Sequence, residues 1–191
     1  MMLKTFVKVS GVNNLSDARY CAGMGVDVIG FNIDPELGEA IDPKKFGEIS
    51  SWLAGADYAI EGDMLTATVV APYDVAYVES SQQSQLSLLS GDYKKILRIN
   101  IADAEDLQAD VDLVLIEGPD ALDEKQQQQI QKLAQKHQVL LACGFNDQNV
   151  LDVLNKTQVY GIAIKAGDEI RPGFKDYDEL ANILEQLETD D

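Results

Sequence analysis

One histidine and two cysteines are all that 191 residues offer to a transition metal or a disulfide. His137 stands alone, and Cys21 and Cys143 lie far apart with neither in a CxxC pair. A His-rich metal site and a disulfide framework are therefore excluded. Positive charge is scarce as well: 15 Lys and Arg face 33 Asp and Glu, for a formal charge of −18. With a pI of about 4.2, the chain lacks the basic face that displaces counterions from nucleic acid or adheres to an anionic membrane. Neither nucleic acid nor membrane is expected as a partner. No apolar run is long enough to span a bilayer, and Met1-Met2-Leu3-Lys4-Thr5-Phe6 has neither the apolar core nor the cleavage site of a signal peptide. A soluble, cytoplasmic, acidic protein is the expectation. What is present is 46% apolar residues, in a length that fits one domain over 1–191 with a sizeable core.

Short β-branched runs alternate with polar, helix-compatible segments from one end to the other. Strands are expected to begin near Thr5, Val26, Asp57, Asp74, Lys95, Val111, Gln138 and Val159. Helices are expected over 15–24, 43–54, 82–90, 103–108, 121–136, 147–155 and 176–188, with Asp42 before Pro43 and Asp123 before a Glu/Gln/Lys run as start signals. The third unit, 62–73, holds Pro72 among β-formers, so its helix is expected to be short or missing. Eight βα units of roughly 24 residues predict a small (β/α)8 TIM barrel, an α/β fold. An open doubly wound sheet is the alternative, because strand order is not written in one sequence. The tract Gln126 to Gln129 reads as the solvated face of a helix.

Two blocks of sequence carry a resemblance. Val7-Lys8-Val9-Ser10-Gly11-Val12-Asn13-Asn14-Leu15-Ser16-Asp17-Ala18-Arg19, continued by Gly25-Val26-Asp27-Val28-Ile29-Gly30-Phe31, resembles the opening of the phosphoribosylanthranilate isomerase family. Leu141-Ala142-Cys143-Gly144-Phe145-Asn146-Asp147-Gln148-Asn149-Val150 resembles its seventh strand and loop, and Arg171-Pro172-Gly173-Phe174-Lys175-Asp176 resembles the segment before its last helix. The likeness runs end to end and is motif-like over residues 5 to 35 and 138 to 180. It implies a TIM barrel and an Amadori rearrangement in tryptophan biosynthesis, in which a general acid opens the ribose ring and a general base removes the C2 proton. It implies no cofactor, either metal or organic, and as partner a small phosphorylated substrate or other small anion. Oligomeric state is left as monomer or homodimer.

The family's functional positions are changed in type. Its base is a cysteine where this chain has Ser10. A thiol ionises near pH 8.5, whereas a serine hydroxyl carries essentially no anion without a neighbouring base. Lys8 shares a strand face with Ser10, and is either its activator or a barrel-interior lysine paired with an acid. The family's acid is an aspartate where Glu117 stands, and Glu117 either keeps that role or pairs with Lys8 across the barrel. Glu39 stands where the family's arginine clamps the substrate carboxylate, with Asp34 and Glu36 adding to a negative rim. For phosphate, Gly144 and Gly167 remain and Lys165 supplies a point charge, but Cys143 replaces a glycine. Cys143 reads as an inert, partly buried thiol and His137 as a residue of the opposite end of the barrel. Of the three arginines, Arg171 is the one read as following a catalytic-face loop, while Arg98 is placed within a strand. The expectation is that Ser10, Asp34, Glu117, Gly144 and Lys165 meet at the C-terminal ends of the strands, in a weak or inactive isomerase or a repurposed barrel.

Overall fold

A run that is apolar on both faces needs cover on both sides, and eight such runs close upon themselves here. In the computed structural model, which describes residues 2–166, 169–171, 174–175 and 177–189 and only the backbone of 169–171 and 174–175, eight parallel strands form a closed barrel in sequential order. They are β1 Phe6–Ser10, β2 Val28–Asn32, β3 Asp57–Glu61, β4 Tyr77–Ser80, β5 Lys94–Asn100, β6 Leu113–Glu117, β7 Val139–Ala142 and β8 Gly161–Lys165. Closure is made by β1 against β8, in register from Phe6 opposite Gly161 to Ser10 opposite Lys165. The open doubly wound alternative is thereby set aside. A short antiparallel pair, β9 Glu169–Arg171 and β10 Phe174–Lys175, follows the barrel.

Strand alternation divides the core in two. Val7, Ile29, Ile60, Val78, Val114, Leu141 and Ile162 belong to buried clusters between the barrel and its outer layer. Val28, Ala59, Tyr77, Ile96, Leu115, Leu140 and Ala163 make a separate cluster that plugs the barrel's interior, as packed layers do in such barrels. Above that plug the inward positions turn polar, and this change positions the site.

The helices are α1 Leu15–Gly23, α2 Pro43–Ser50, α3 Ala67–Val70, α4 Gln83–Leu88, α5 Glu124–Ala134, α6 Val150–Thr157 and α7 Asp178–Leu187. Side chains cap several of them: Asn14 accepts from Asp17 N, Asp42 from Lys45 N, and Asp123 and Gln126 form a reciprocal capping box. The third unit has the short helix its composition suggests, four residues capped by Thr66. The helix expected over 103–108 does not form. A 3-10 turn at Ile101–Asp103 is followed by irregular chain, with Asp106 at a φ of 58°. Ile101 and Ala104 are buried and Leu107 packs against the core, but four acids, Asp103, Glu105, Asp106 and Asp110, crowd a segment too short to sustain a helix. Trp52, the sole tryptophan, lies just past α2 and is 73% exposed. Among the described residues no helix is long and apolar enough to cross a membrane.

Candidate functional site

The C-terminal ends of the strands open on a cavity of about 500 Å³. Each strand delivers an inward residue from its C-terminal part to that cavity: Ser10 from β1, Asn32 from β2, Glu61 from β3, Glu79 from β4, Arg98 from β5, Glu117 from β6, Ala142 from β7 and Lys165 from β8. Glu39, from the loop after β2, joins the rim. Ser10, Glu117, Lys165 and Glu39 are thus brought together. Asp34 and Gly144 are not among the lining residues, and Gly167 lies outside the described residues.

At the floor sits Lys8, fully buried. Its ammonium donates to Glu61 Oε1, lies 2.8 Å from Glu79 Oε2, and donates to Ser10 Oγ at 2.6 Å. Glu117 is not its partner. The reason is topological: β3 and β4 end in the inward carboxylates of Glu61 and Glu79, so an ion pair across the barrel to β6 is unnecessary. Gly30 makes room for the pair, because a Cβ there would overlap the Glu61 carboxylate and come within 3.0 Å of Lys8 Nζ. Burial works against the charge of Lys8, but Glu61 and Glu79 outweigh it and raise its pKa above the usual 10.5. Burial raises that of Glu79 above 4.5, against the opposing pull of Lys8 and Arg98. A charged ammonium has no lone pair, so Lys8 does not activate Ser10 by taking its proton.

Arg98 lies within β5, as the sequence places it, and its side chain turns into the cavity, a direction the sequence reading did not draw. It stands two residues beyond Ile96, which turns inward, and so shares that direction. Its Nε lies 3.2 Å from Glu79 Oε1, one terminal nitrogen 3.1 Å from Asp63 Oδ1, and the other 4.0 Å from Glu117 Oε2. Asp63 is buried enough to resist ionisation. Hydrogen bonds from Ser81 and Ser80, together with Arg98, nevertheless hold it below 3.8. Glu117 has only the long contact to Arg98, with its side chain 42% exposed.

The rim residues divide by what already holds them. Glu39 accepts from Asn13 Nδ2 at 2.7 Å and faces Lys45 at 3.7 Å. Asp34 is a local cap rather than a wall, accepting from Glu36 N and Asp63 N. Gly144 is glycine for packing, since a Cβ would collide with the backbone of Asp120, and its carbonyl accepts from Asn149 Nδ2. Cys143 fits the expected inert thiol: burial, with Asp120 beside it, pushes it up to about 12. Asn32 is 6% exposed, and its Nδ2 has no hydrogen-bond partner. Among the described residues no group of three His, Cys, Asp or Glu could hold a metal.

Glu61, Glu79, Arg98 and Asn32 carry the site's polarity and escape the motif reading. Their signal was present in the strands themselves. DYAIE, DVAYVE, KILRIN and VIGFN each place a polar residue on the inward parity near the C-terminal end of an apolar run.

No family model matches the chain. Two curated relatives match along nearly the full length of both partners. The N-(5'-phosphoribosyl)anthranilate isomerase of Synechococcus sp. is 25% identical over 97% of this chain and 91% of its own. That of Acidithiobacillus ferrooxidans is 24% identical over 95% and 96%. Among solved structures, the phosphoribosyl anthranilate isomerase of Thermus thermophilus superposes with a TM-score of 0.79 at 19% identity, over 95% of this chain and 98% of that one. Another such isomerase, solved with reduced 1-(o-carboxyphenylamino)-1-deoxyribulose 5-phosphate, superposes with a TM-score of 0.76 at 17% identity, over 96% of this chain and 98% of that one. The closed order of eight parallel strands and the end-to-end likeness agree: the chain is similar along nearly its whole length to phosphoribosylanthranilate isomerases and shares their barrel fold.

Proposed function

We propose that this chain is a cytoplasmic barrel of phosphoribosylanthranilate isomerase type that keeps a small-molecule cavity but has exchanged the machinery of the isomerisation. The observation that carries the reading is the hydrogen bond from Lys8 Nζ to Ser10 Oγ. Proton abstraction from C2 needs a base populated near neutral pH. Ser10 is a hydroxyl that accepts from an ammonium already held by two glutamates. Nothing in that triad accepts its proton without first giving up an ion pair. Glu117 can still serve as an acid, but the position that would clamp a substrate carboxylate carries Glu39, which repels one.

The ligand class follows from the residues that remain. The neighbouring isomerase was solved with a phosphorylated sugar derivative, and Lys165 is the exposed cation of this rim. A small phosphorylated molecule or other small anion held at Lys165 is the ligand class, without nucleic acid. The functional unit is a monomer or a homodimer.

The test is the fluorescence of phosphoribosylanthranilate, which falls on conversion. Purified protein is expected to leave the signal at the uncatalysed rate. Ser10→Cys combined with Glu39→Arg is expected to accelerate the loss by more than the sum of the single changes, because binding and chemistry act as one unit. Rapid turnover by the unaltered protein, abolished by Ser10→Ala, would overturn the reading.

A further inference from the structure

Four glutamates line the cavity, Glu39, Glu61, Glu79 and Glu117, against two cations, Arg98 and Lys165. Most of these charges are already matched. Glu61 takes Lys8 and the Gly11 N–H, Glu79 takes Lys8 and Arg98, and Glu39 takes Asn13 and Lys45. Arg98 is held at short range by Asp63 and Glu79. Two groups of opposite sign are left. Glu117 keeps only a 4.0 Å contact to Arg98, and Lys165 has no acid paired with it among the described residues.

These two flank β7, whose inward residue is the small Ala142, in register with Glu117. Strands neighbour one another at about 4.8 Å, so β6 and β8 stand roughly 10 Å apart, and Lys165 lies one inward step beyond the level of Glu117 and Ala142. A ligand spanning them meets a carboxylate at one end and an ammonium at the other, over an alanine floor. Asn32 adds a buried, unpartnered amide donor to the same cavity. A purely anionic ligand answers Lys165 and leaves Glu117 repelled.

We propose that the cavity binds a phosphorylated small molecule that also carries an amine, an amino-sugar phosphate in chemical class, with its ammonium on Glu117 and its phosphate on Lys165. The proposal rests on the reading of this cavity as a small-molecule site and narrows its ligand. Hydroxyls between the two charged ends meet Ser10 and Asn32. Charge complementarity here acts chiefly as selection, because the acidic rim disfavours the isosteric ligand that lacks the cation.

The test compares three probes by calorimetry at pH 7 and low salt: glucosamine 6-phosphate, glucose 6-phosphate and inorganic phosphate. The amine probe is expected to bind at least tenfold more tightly than glucose 6-phosphate. Glu117→Gln is expected to erase that preference while leaving glucose 6-phosphate unchanged or tighter, and Lys165→Ala to weaken both sugar phosphates alike. Circular dichroism of each variant confirms that the comparison is between folded proteins. Equal affinity for the two sugar phosphates would overturn the amine proposal and leave the cavity as a phosphate-ester site. A preference that survives Glu117→Gln would remove Glu117 as its source. Failure of all three probes to bind would overturn the small-molecule reading itself.

Discussion

Lys8 is the residue on which the site's electrostatics turn. A lysine buried without a partner would shed its proton; with Glu61 and Glu79 beside it, the charge is kept. Lys8→Met leaves two buried carboxylates facing each other and is expected to cost about 3–5 kcal/mol of unfolding free energy, read from urea titrations. The sign of its pH dependence follows from Glu79, already raised by burial: acidification lets the variant protonate that carboxyl, so the deficit should shrink as pH falls from 8 to about 5. Because the folded pKa of Lys8 itself is raised, the stability it supplies is complete below 10.5 and is lost only as pH rises past its folded value. Lys8, Ser10 and Lys165 were legible because they fall within the matching blocks, Glu117 because it closes an apolar run, and Glu39 from its place in the loop after β2. The partner of Lys8 was not. Which carboxylate meets it depends on how eight strands stagger around the barrel, and no single strand records that.

At the scale of elements, the informative contrast is between strands and helices. All eight strands were legible because an apolar run in a closed parallel barrel is buried on both faces and admits few substitutes. Helix 103–108 was misread because Ile101, Ala104 and Leu107 do pack inward at helical spacing, while a short segment dense in acids forms only a 3-10 turn before the chain becomes irregular. Two predictions belong here. Gly30→Ala pushes a methyl into the Lys8–Glu61 pair, and overpacking of this kind costs about 1–3 kcal/mol; thermal denaturation should show it, with the barrel's far-ultraviolet signature retained at low temperature. Asp123→Ala removes one half of the capping box of α5, and about 1 kcal/mol should be lost, with Asn at the same position recovering most of it.

For the whole molecule, the excess of 18 negative charges governs how stability responds to solution. Self-repulsion of that size weakens the compact state and is screened by salt, so the urea midpoint should rise between low and moderate sodium chloride. Buried Glu79 and part-buried Asp63 respond to pH with opposite signs. Glu79, raised above 4.5, contributes stability that is lost as pH rises through its folded value, so mild acid restores it. Asp63, held below 3.8, contributes stability present above that value and lost as pH falls through its folded one. Greatest stability is therefore expected on the acid side of neutrality and above 3.8. A midpoint that fell steadily from pH 7 to pH 5 would contradict the sign given for Glu79.

Trp52, standing in solvent beyond α2, governs how the molecule can be watched. An indole already hydrated in the native state emits at nearly the same wavelength when the chain unfolds, so excitation at the red edge should report little of the transition that circular dichroism resolves. Acrylamide should quench the folded protein almost as efficiently as the protein in urea. The same position leaves the indole remote from the strand ends, so a ligand entering the cavity would announce itself through heat or through its own spectrum rather than through the tryptophan. A tryptophan placed at the floor instead, as Ala142→Trp, would convert the silent cavity into an optical one.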